Sequence, residues 1–545
     1  MTRRQCGLES SWGAVKAGPL GLGCRYEVRH REWLKKCVSL PGATLLVPTK
    51  RAIAKVPWVA PQLCPHSEYQ LVRKRGIALR RNANFRACEL VGHTMRAHLE
   101  LDGEEVRPMP LRQWMARATG AKRARWEEGA REAQRGTRDR RAQIFTKDEL
   151  VARTADATVN AGPRGLEAAD GKMAHLISDP GPRRACGMGP WVTAMEARLK
   201  KGKFRFLLKG MRSQQKNRRV RRMLENKGGR PVKGTAIGFD GAAWDSCVHA
   251  QLLAYETEYF HARGCPRKAM AEKVATTASK TYKGKKKAKY RVRMRRKSGD
   301  SETSLGNSLL NAWIQLSAVC YARTGDLASA AAEVDRVMKD YDDGGIRVFS
   351  EGDDGLVIVE ETLLPEELRR YSDFLYAVGL EPKLELGHCQ ESQWLPEFCS
   401  MNFNLKRDEP MPVMKRALGR ATWSTKVMAH KPKDVQAFTK LKGLSLQAEW
   451  GHVPLLGELG RKMASVADGR ITQQMVERAG HAWQIEQCGG WDKYQATLFG
   501  KSKPTTRDPA LWRKAAEGLG ISVKQLREEE ARIEDTLAGR RKGIF

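Results

Sequence analysis

Long apolar runs are missing from this chain. No stretch of its 545 residues approaches the roughly 18 to 20 consecutive apolar residues that a bilayer-spanning helix needs, so no transmembrane segment is expected. The opening segment MTRRQCGLESSWGAVK is charged and has no uninterrupted apolar core, and a secretory leader is not expected either. Cysteine is present but unorganised. The 12 cysteines include no CxxC pair and no tight Cys/His cluster, so the spacings of structural zinc are absent and no zinc is expected. Reduced, mostly buried thiols are the expectation. Acidic residues are the third shortage: 62 Asp and Glu stand against 98 Lys and Arg, a net charge of +36 with a pI near 9.9. That imbalance points to a polyanionic partner, nucleic acid first and an anionic membrane surface second. With 41% hydrophobic and 29% charged residues the chain is globular rather than disordered, and long enough for a multi-lobed enzyme.

The positive charge comes in runs. Between Arg198 and Lys233 there are 15 Lys or Arg and a single acid, Glu225. A second run from Arg263 to Asp300 has 15 against two acids, Glu272 and Asp300. One such run alone could be a solvated face. Two of them around one central segment, with Phe204, Phe206, Tyr282 and Tyr290 interspersed, suit a phosphate backbone and stacked bases. Residues 1–135 read as a separate basic module, ending in a polar, Arg/Glu-rich helix or linker over 117–141 that is expected to be a solvated connector.

The middle of the chain carries the clearest periodicity. Residues 234–239 read as a short buried strand ending on Asp240. Leu305, Leu309, Leu310, Ile314 and Val319 predict a helix over 303–324. Residues 346–349 and 356–359 are β-branched runs split by Ser350-Glu351-Gly352-Asp353-Asp354-Gly355, a hairpin with two carboxylates at its tip. Pro365 opens an amphipathic helix that Gly379 closes. Further helices are predicted over 432–441, 455–465, 472–479 and 522–540, with Gly443 just past the end of the first.

Were the strand ending at Asp240 to lie beside the hairpin, Asp240 and Asp353 could hold two Mg²⁺ ions between them. Phosphoryl transfer uses that arrangement, one ion activating a hydroxyl and the other stabilising the leaving oxygen. A lone Gly-Asp-Asp would equally be an ordinary acidic turn. The order of motifs is more specific: Asp240-Gly-Ala-Ala-Trp-Asp245, then Ser298-Gly299-Asp300-Ser301-Glu302-Thr303-Ser304-Leu305-Gly306-Asn307, then Gly352-Asp353-Asp354. This series resembles motifs A, B and C of the RNA-dependent RNA polymerases of positive-strand RNA viruses. The SGDxxTSxxN form is most similar to the tombusvirus-like and carmovirus-like group within the flavivirus-like polymerases.

The resemblance implies an α+β right hand of fingers, palm and thumb, with an RRM-like antiparallel palm sheet and a mainly helical thumb. It implies fingers over 136–233, a palm over 234–403 with a basic fingers insertion at 260–297, and a thumb with C-terminal helices over 404–545. By the same resemblance Asp240, Asp353 and Asp354 are catalytic and bind Mg²⁺, with Mn²⁺ as a substitute. Asp245 and Asn307 sense the ribose 2′-hydroxyl, and Ser298, Gly299 and Thr303 shape the nucleotide pocket. A carboxylate and an amide do offer the acceptor and donor that a hydroxyl needs. Lys383 resembles the motif D lysine that protonates pyrophosphate, while residues 398–403, with Phe403, resemble the motif E primer grip.

Phe145-Thr146-Lys147-Asp148-Glu149 and the segment from Lys172 to Pro180 resemble the two parts of motif F, making Lys172, His175 and Arg183 triphosphate contacts. Ala174 and His175 stand where the resemblance expects Pro and Arg, so either Arg183 or Arg184 supplies the permanent charge or the motif falls in another register. The basic insertion, through Lys283, Lys285, Lys286, Lys287, Lys289, Arg291 and Arg293, is expected to line an RNA channel. The implied partners are template and product RNA, NTPs, and a host membrane surface or other replicase proteins. The implied location is the host cytoplasm, in membrane-associated replication complexes. A reverse transcriptase fits less well, since it usually shows YxDD and a residue closing off the 2′ position. A non-catalytic RNA-binding or packaging protein would explain the charge but not the ordered motifs.

Overall fold

The computed structural model describes three short strands in the first 82 residues, Arg25–Glu27, Thr44–Leu45 and Trp58–Val59. It then describes residues 83–535 apart from 136–141, 147–150, 153–175, 225–232, 285–288, 425–431, 501–507 and a few intervals of five residues or fewer. The architecture is α+β, organised around an antiparallel sheet of four strands. These are β1 (Thr235–Gly241), β2 (Ile346–Glu351), β3 (Asp354–Val359) and β4 (Pro382–His388), in the spatial order β2-β3-β1-β4. The β-branched runs around Gly352 form β2 and β3 as expected, and β1 continues one residue past Asp240.

Alternation along the strands sorts their side chains onto two faces. Ile237, Phe239, Val348, Val357 and Val359 enter a core shared with helices α1 (Thr303–Thr324) and α2 (Pro365–Ala377). Ala236, Phe349, Leu356 and Ile358 face the other way, toward Phe398, Met401 and Phe403. On that second face the strand Trp394–Phe398 passes so close that a Cβ on Gly238 would lie 2.8 Å from the Glu397 carbonyl oxygen. Only glycine fits there.

Helix α1 spans the residues its leucine spacing predicts and stops at Gly325, whose φ of 82° ends the helix in the left-handed region. It is buried nearly all round, including Asn307, Ser308, Asn311, Gln315 and Ser317. Polar groups so placed need internal partners. Ser317 meets Thr94 at 2.7 Å, and Gln315 accepts from the Tyr371 hydroxyl on α2.

The separate-module reading of residues 1–135 does not hold for its last third. Ala87, Leu90, Val91 and Met95 of the helix Phe85–Asp102 enter the same core as Leu309 and Trp313 of α1. The stretch expected to be a solvated connector contains the helix Gly120–Gln134, anchored by Trp126 stacked on Trp114 at 3.7 Å. The Cys186 thiol also donates to the Trp126 carbonyl. A single large aromatic supplies contact that a count of apolar residues overlooks.

A second sheet gathers remote segments in the order Arg25–Glu27, Lys289–Val292, Lys280–Gly284, Gln143–Thr146 and Leu176–Asp179. Most of its pairs are antiparallel; Gln143–Thr146 runs parallel to Lys280–Gly284. The C-terminal region is mostly helical, as expected. The helix that Gly443 was expected to end runs instead from Pro432 to Trp450. Gly443 lies where the following helix, Leu456–Ser465, crosses: a Cβ on it would come 2.6 Å from the Gly460 carbonyl oxygen. Close helix approach, not termination, selects the glycine. None of the eight described cysteines is in a disulfide, and six of them are buried. Among the described residues no helix is long and apolar enough to cross a membrane.

Candidate active site

The strand register draws a line of charge across the central sheet. Glu351, Asp354, Asp240 and Lys383 are successive Cα partners on β2, β3, β1 and β4. Directly opposed residues project to the same face, here the face turned away from α1 and α2. Two residues, Gly352 and Asp353, form the turn between β2 and β3, since Glu351 and Asp354 are already paired. The two neighbouring aspartates therefore divide: Asp353 belongs to the turn and Asp354 to the ladder. Gly352 has φ 70° and a Cβ there would meet nothing within 4 Å. Backbone conformation alone selects glycine at this first turn position, as in tight hairpins generally.

The turn is braced from below by α1. The Gly352 N–H donates to Ser308 Oγ at 2.8 Å, its carbonyl accepts from Asn311 Nδ2 at 3.3 Å, and Ser350 Oγ donates to the Ser308 carbonyl at 2.8 Å. Ser308 and Asn311 were not singled out in the sequence. The available signal was polar residues within an apolar helical pattern, one and four positions after Asn307.

Asp245, Ser298 and Asn307 meet although up to 62 residues separate them in sequence. Ser298 Oγ donates to Asp245 Oδ2, and Asn307 Nδ2 donates to Oδ1 at 3.0 Å. This leaves Asn307 Oδ1 as a buried acceptor with no donor among the described residues. Thr303 Oγ1 donates to the Lys297 carbonyl at 2.8 Å, closing the loop that carries Ser298. Gly299, with φ 117°, lies against the strand Leu176–Asp179, where Ser178 N–H donates to the Ser298 carbonyl at 2.5 Å.

Arg184 secures this loop from behind. Its guanidinium is buried against Glu302, lies 3.6 Å from Asp300, and donates to the Glu272 carbonyl at 2.9 Å. Burial disfavours its charge, but Glu302 and Asp300 outweigh that and raise its pKa. Burial likewise pushes Asp300 above the usual carboxylate range, against the pull of Arg184. Of the two arginines considered for the triphosphate, Arg184 is thus committed to the loop, and Arg183 pairs with Glu272 at 2.6 Å.

The remaining residues scatter. Lys383 is exposed beside Asp240, and Lys283 and Arg291 are exposed on paired strands of the second sheet. Phe403 is 1% exposed and packs on Phe398, so its expected RNA contact is corrected to a core role. Alternation along Met401–Asn404 turns Met401 and Phe403 inward. Phe204, Phe206 and Tyr282 are buried as well and offer no stacking surface. Lys147, Glu149, Lys172, His175, Lys285, Lys286, Lys287 and Arg293 lie outside the described residues, and at Lys289 only the backbone is described.

An all-oxygen donor set suits a hard divalent cation. Burial, then the charges of Asp353, Asp240, Glu351 and Glu397, push the Asp354 carboxyl up to about 7. Such crowding of like charge is what a bound cation relieves. Among the described residues no group of three or more His, Cys, Asp or Glu side chains is placed to hold a metal ion. Mg²⁺ is commonly held by one or two carboxylates with water and substrate phosphates completing its shell, a donor number that paired aspartates can supply. Lys216 was also passed over in the sequence, as one lysine in a basic run; it pairs with Glu351 at 2.5 Å beside this cluster.

Comparison with curated proteins finds no match for the chain. Residues 203–503, more than half its length, match the viral RNA-dependent RNA polymerase family. That span contains the whole central sheet, the braced turn and the Asp245–Ser298–Asn307 cluster, and the chain belongs to this family of enzymes.

Proposed function

We propose that the protein copies a viral RNA genome by template-directed nucleotidyl transfer, with the central sheet as palm. The observation that carries this reading is the register opposing Asp354 to Asp240, with Asp353 in the adjoining turn. Asp240, Asp353 and Asp354 would hold the divalent cations, Mg²⁺ or Mn²⁺. When bound, such ions lower the pKa of an attacking 3′-hydroxyl and stabilise charge on the leaving pyrophosphate. The chain's own residues orient the reactants. The buried Asn307 Oδ1 accepts from a ribose 2′-hydroxyl while Asp245, itself held by Ser298, fixes the amide. Thr303 and Gly299 hold the loop against the neighbouring sheet, and Lys383, next to Asp240, donates a proton to pyrophosphate.

In this reading 136–233 with the insertion at 260–297 are fingers, 234–403 the palm and 404–545 the thumb. Of the basic extension expected over 1–135, the part before the helix Phe85–Asp102 contacts RNA, other replicase proteins or a host membrane surface, where cytoplasmic replication complexes assemble. Lys172 and His175 contact the triphosphate, with Arg183 joining them on release from Glu272. The SGDxxTSxxN pattern supports a place among the tombusvirus-like polymerases. A non-catalytic packaging protein would have no use for the Asp245–Ser298–Asn307 arrangement. Primer extension on an RNA template, with and without Mg²⁺, is the test. Metal-dependent RNA synthesis is expected, and RNA binding without synthesis under both conditions would defeat the reading.

A further inference from the structure

We propose that Lys216 is a positioning residue of the polymerase reaction, holding the Glu351 carboxylate back from the cation site of Asp240, Asp353 and Asp354. The inference rests on the metal reading above. Glu351 faces Asp354 directly across the hairpin and shares a sheet face with Asp240. A divalent cation prefers carboxylate oxygens, so an unrestrained Glu351 would compete with the aspartates for the ion and draw it along the sheet.

The restraint is built into the fold. Lys216 Nζ stands 2.5 Å from Glu351 Oε2, and the Cys399 thiol donates to the same oxygen at 3.7 Å. Lys216 is 8% exposed, too buried to be a solvated surface charge. Its helix, Ser213–Met223, is tied down on both sides of it. Ser213 donates to Glu449 through its N–H, at 3.1 Å, and through its hydroxyl. Asn217 donates to the carbonyls of Asn404 and Arg407 at 3.0 and 2.6 Å and accepts from the Asn404 N–H at 2.6 Å. The lysine is therefore presented to Glu351 by rigid neighbours. Paired, the two side chains add no net charge to the cation site. Released from Lys216, the half-buried Glu351 carboxylate gains by meeting another positive charge, and a cation held by the neighbouring aspartates supplies it.

The test measures cation binding to the full-length chain directly, by Mn²⁺ titration followed by electron paramagnetic resonance without nucleotide. Lys216→Met should tighten Mn²⁺ binding by about tenfold, the effect of one added carboxylate at a divalent site. The double variant Lys216→Met with Glu351→Gln should return to within about threefold of wild type, because the competing charge is gone. In primer extension, Lys216→Met should lower kcat by about tenfold while KM for NTP moves less than about threefold, and Lys216→Arg should restore most of kcat. Lys216→Gln, which keeps a donor without the charge, should tighten Mn²⁺ binding by about threefold and stands in if the Met variant does not fold. Unchanged or weaker Mn²⁺ binding in the single variants, or a double variant still shifted like Lys216→Met, overturns the role of Lys216. A wild-type chain that neither binds Mn²⁺ nor extends a primer would instead defeat the functional reading beneath it.

Discussion

The acidic hairpin keeps its charges together: Glu351, Asp354 and Asp240 stand in one line, with Asp353 in the adjoining turn. The basic segment from Arg263 to Lys297 divides its charges between two environments. Lys273 and Arg296 are buried against Glu256, Arg263 donates to the Glu104 carbonyl, and Lys297 donates to the Thr276 carbonyl. Burial opposes the Glu256 charge, but Arg296 and Lys273 outweigh it and hold its pKa below the usual range. Lys283 and Arg291 stay exposed on strands. Clustered like charge persists on the acidic line, whereas buried charge must find an internal counter-charge. A run of lysines and arginines is therefore not one surface, and each member has to be assigned by its burial.

The strongest way to break this contrast is at the acidic line. Asp353→Ala or Asp240→Ala should reduce RNA synthesis to background while RNA binding stays within a few-fold, since on the proposed reading each removes a metal ligand and leaves the basic residues in place. Single-nucleotide addition measures the first and filter binding the second. Both variants elongating above about a tenth of the wild-type rate would defeat the assignment.

Within the basic segment the two environments should separate on stability. Arg296→Met leaves Glu256 short of a buried partner and should cost about 3–5 kcal/mol, while Arg291→Met on the exposed strand should cost less than about 0.5 kcal/mol. Urea unfolding of both variants checks the difference, and similar midpoints would erase the distinction between the buried and exposed cations.

At the Asp245–Ser298–Asn307 cluster, Asn307→Ala should lower the preference for ribonucleotides over deoxyribonucleotides by about tenfold or more, because the proposed hydrogen bond to the 2′-hydroxyl is removed. Competition between matched rNTP and dNTP gives the ratio. An unchanged ratio with measurable activity would move the sensing role to other residues.

The smallest effect belongs to the exposed strand charges. Lys283→Gln with Arg291→Gln should lessen the slope of log affinity against log salt by about 0.7 for every phosphate of single-stranded RNA that these side chains neutralise in the wild type. RNA binding measured from low to moderate salt provides the slope, and an identical slope would mean that neither side chain touches an RNA phosphate.

Much of the site was legible because its signals are local. Gly352 is demanded by the backbone of a tight turn, and β-branched runs on both sides of it can only form a hairpin. The helix over Thr303–Thr324 was legible from leucine spacing, and its amide Asn307 from the motif preceding it. Phe403 and Gly443 misled for the same reason in opposite senses. A motif position and a glycine each have two physical explanations, and the choice depends on what packs against them: the Phe398 core in one case, the Gly460 backbone in the other.

The amino-acid order by itself determined which groups could do chemistry: the aspartates, the amide, the serine and the excess of positive charge. Tertiary structure alone decided their company. It set Asp354 opposite Asp240, braced the turn on Ser308 and Asn311, paired Lys216 with Glu351, and buried Arg184 and Arg296 against Glu302 and Glu256. Side-chain identity is written locally, but a charge acquires its role from the dielectric and the counter-charge around it, and long-range packing supplies both.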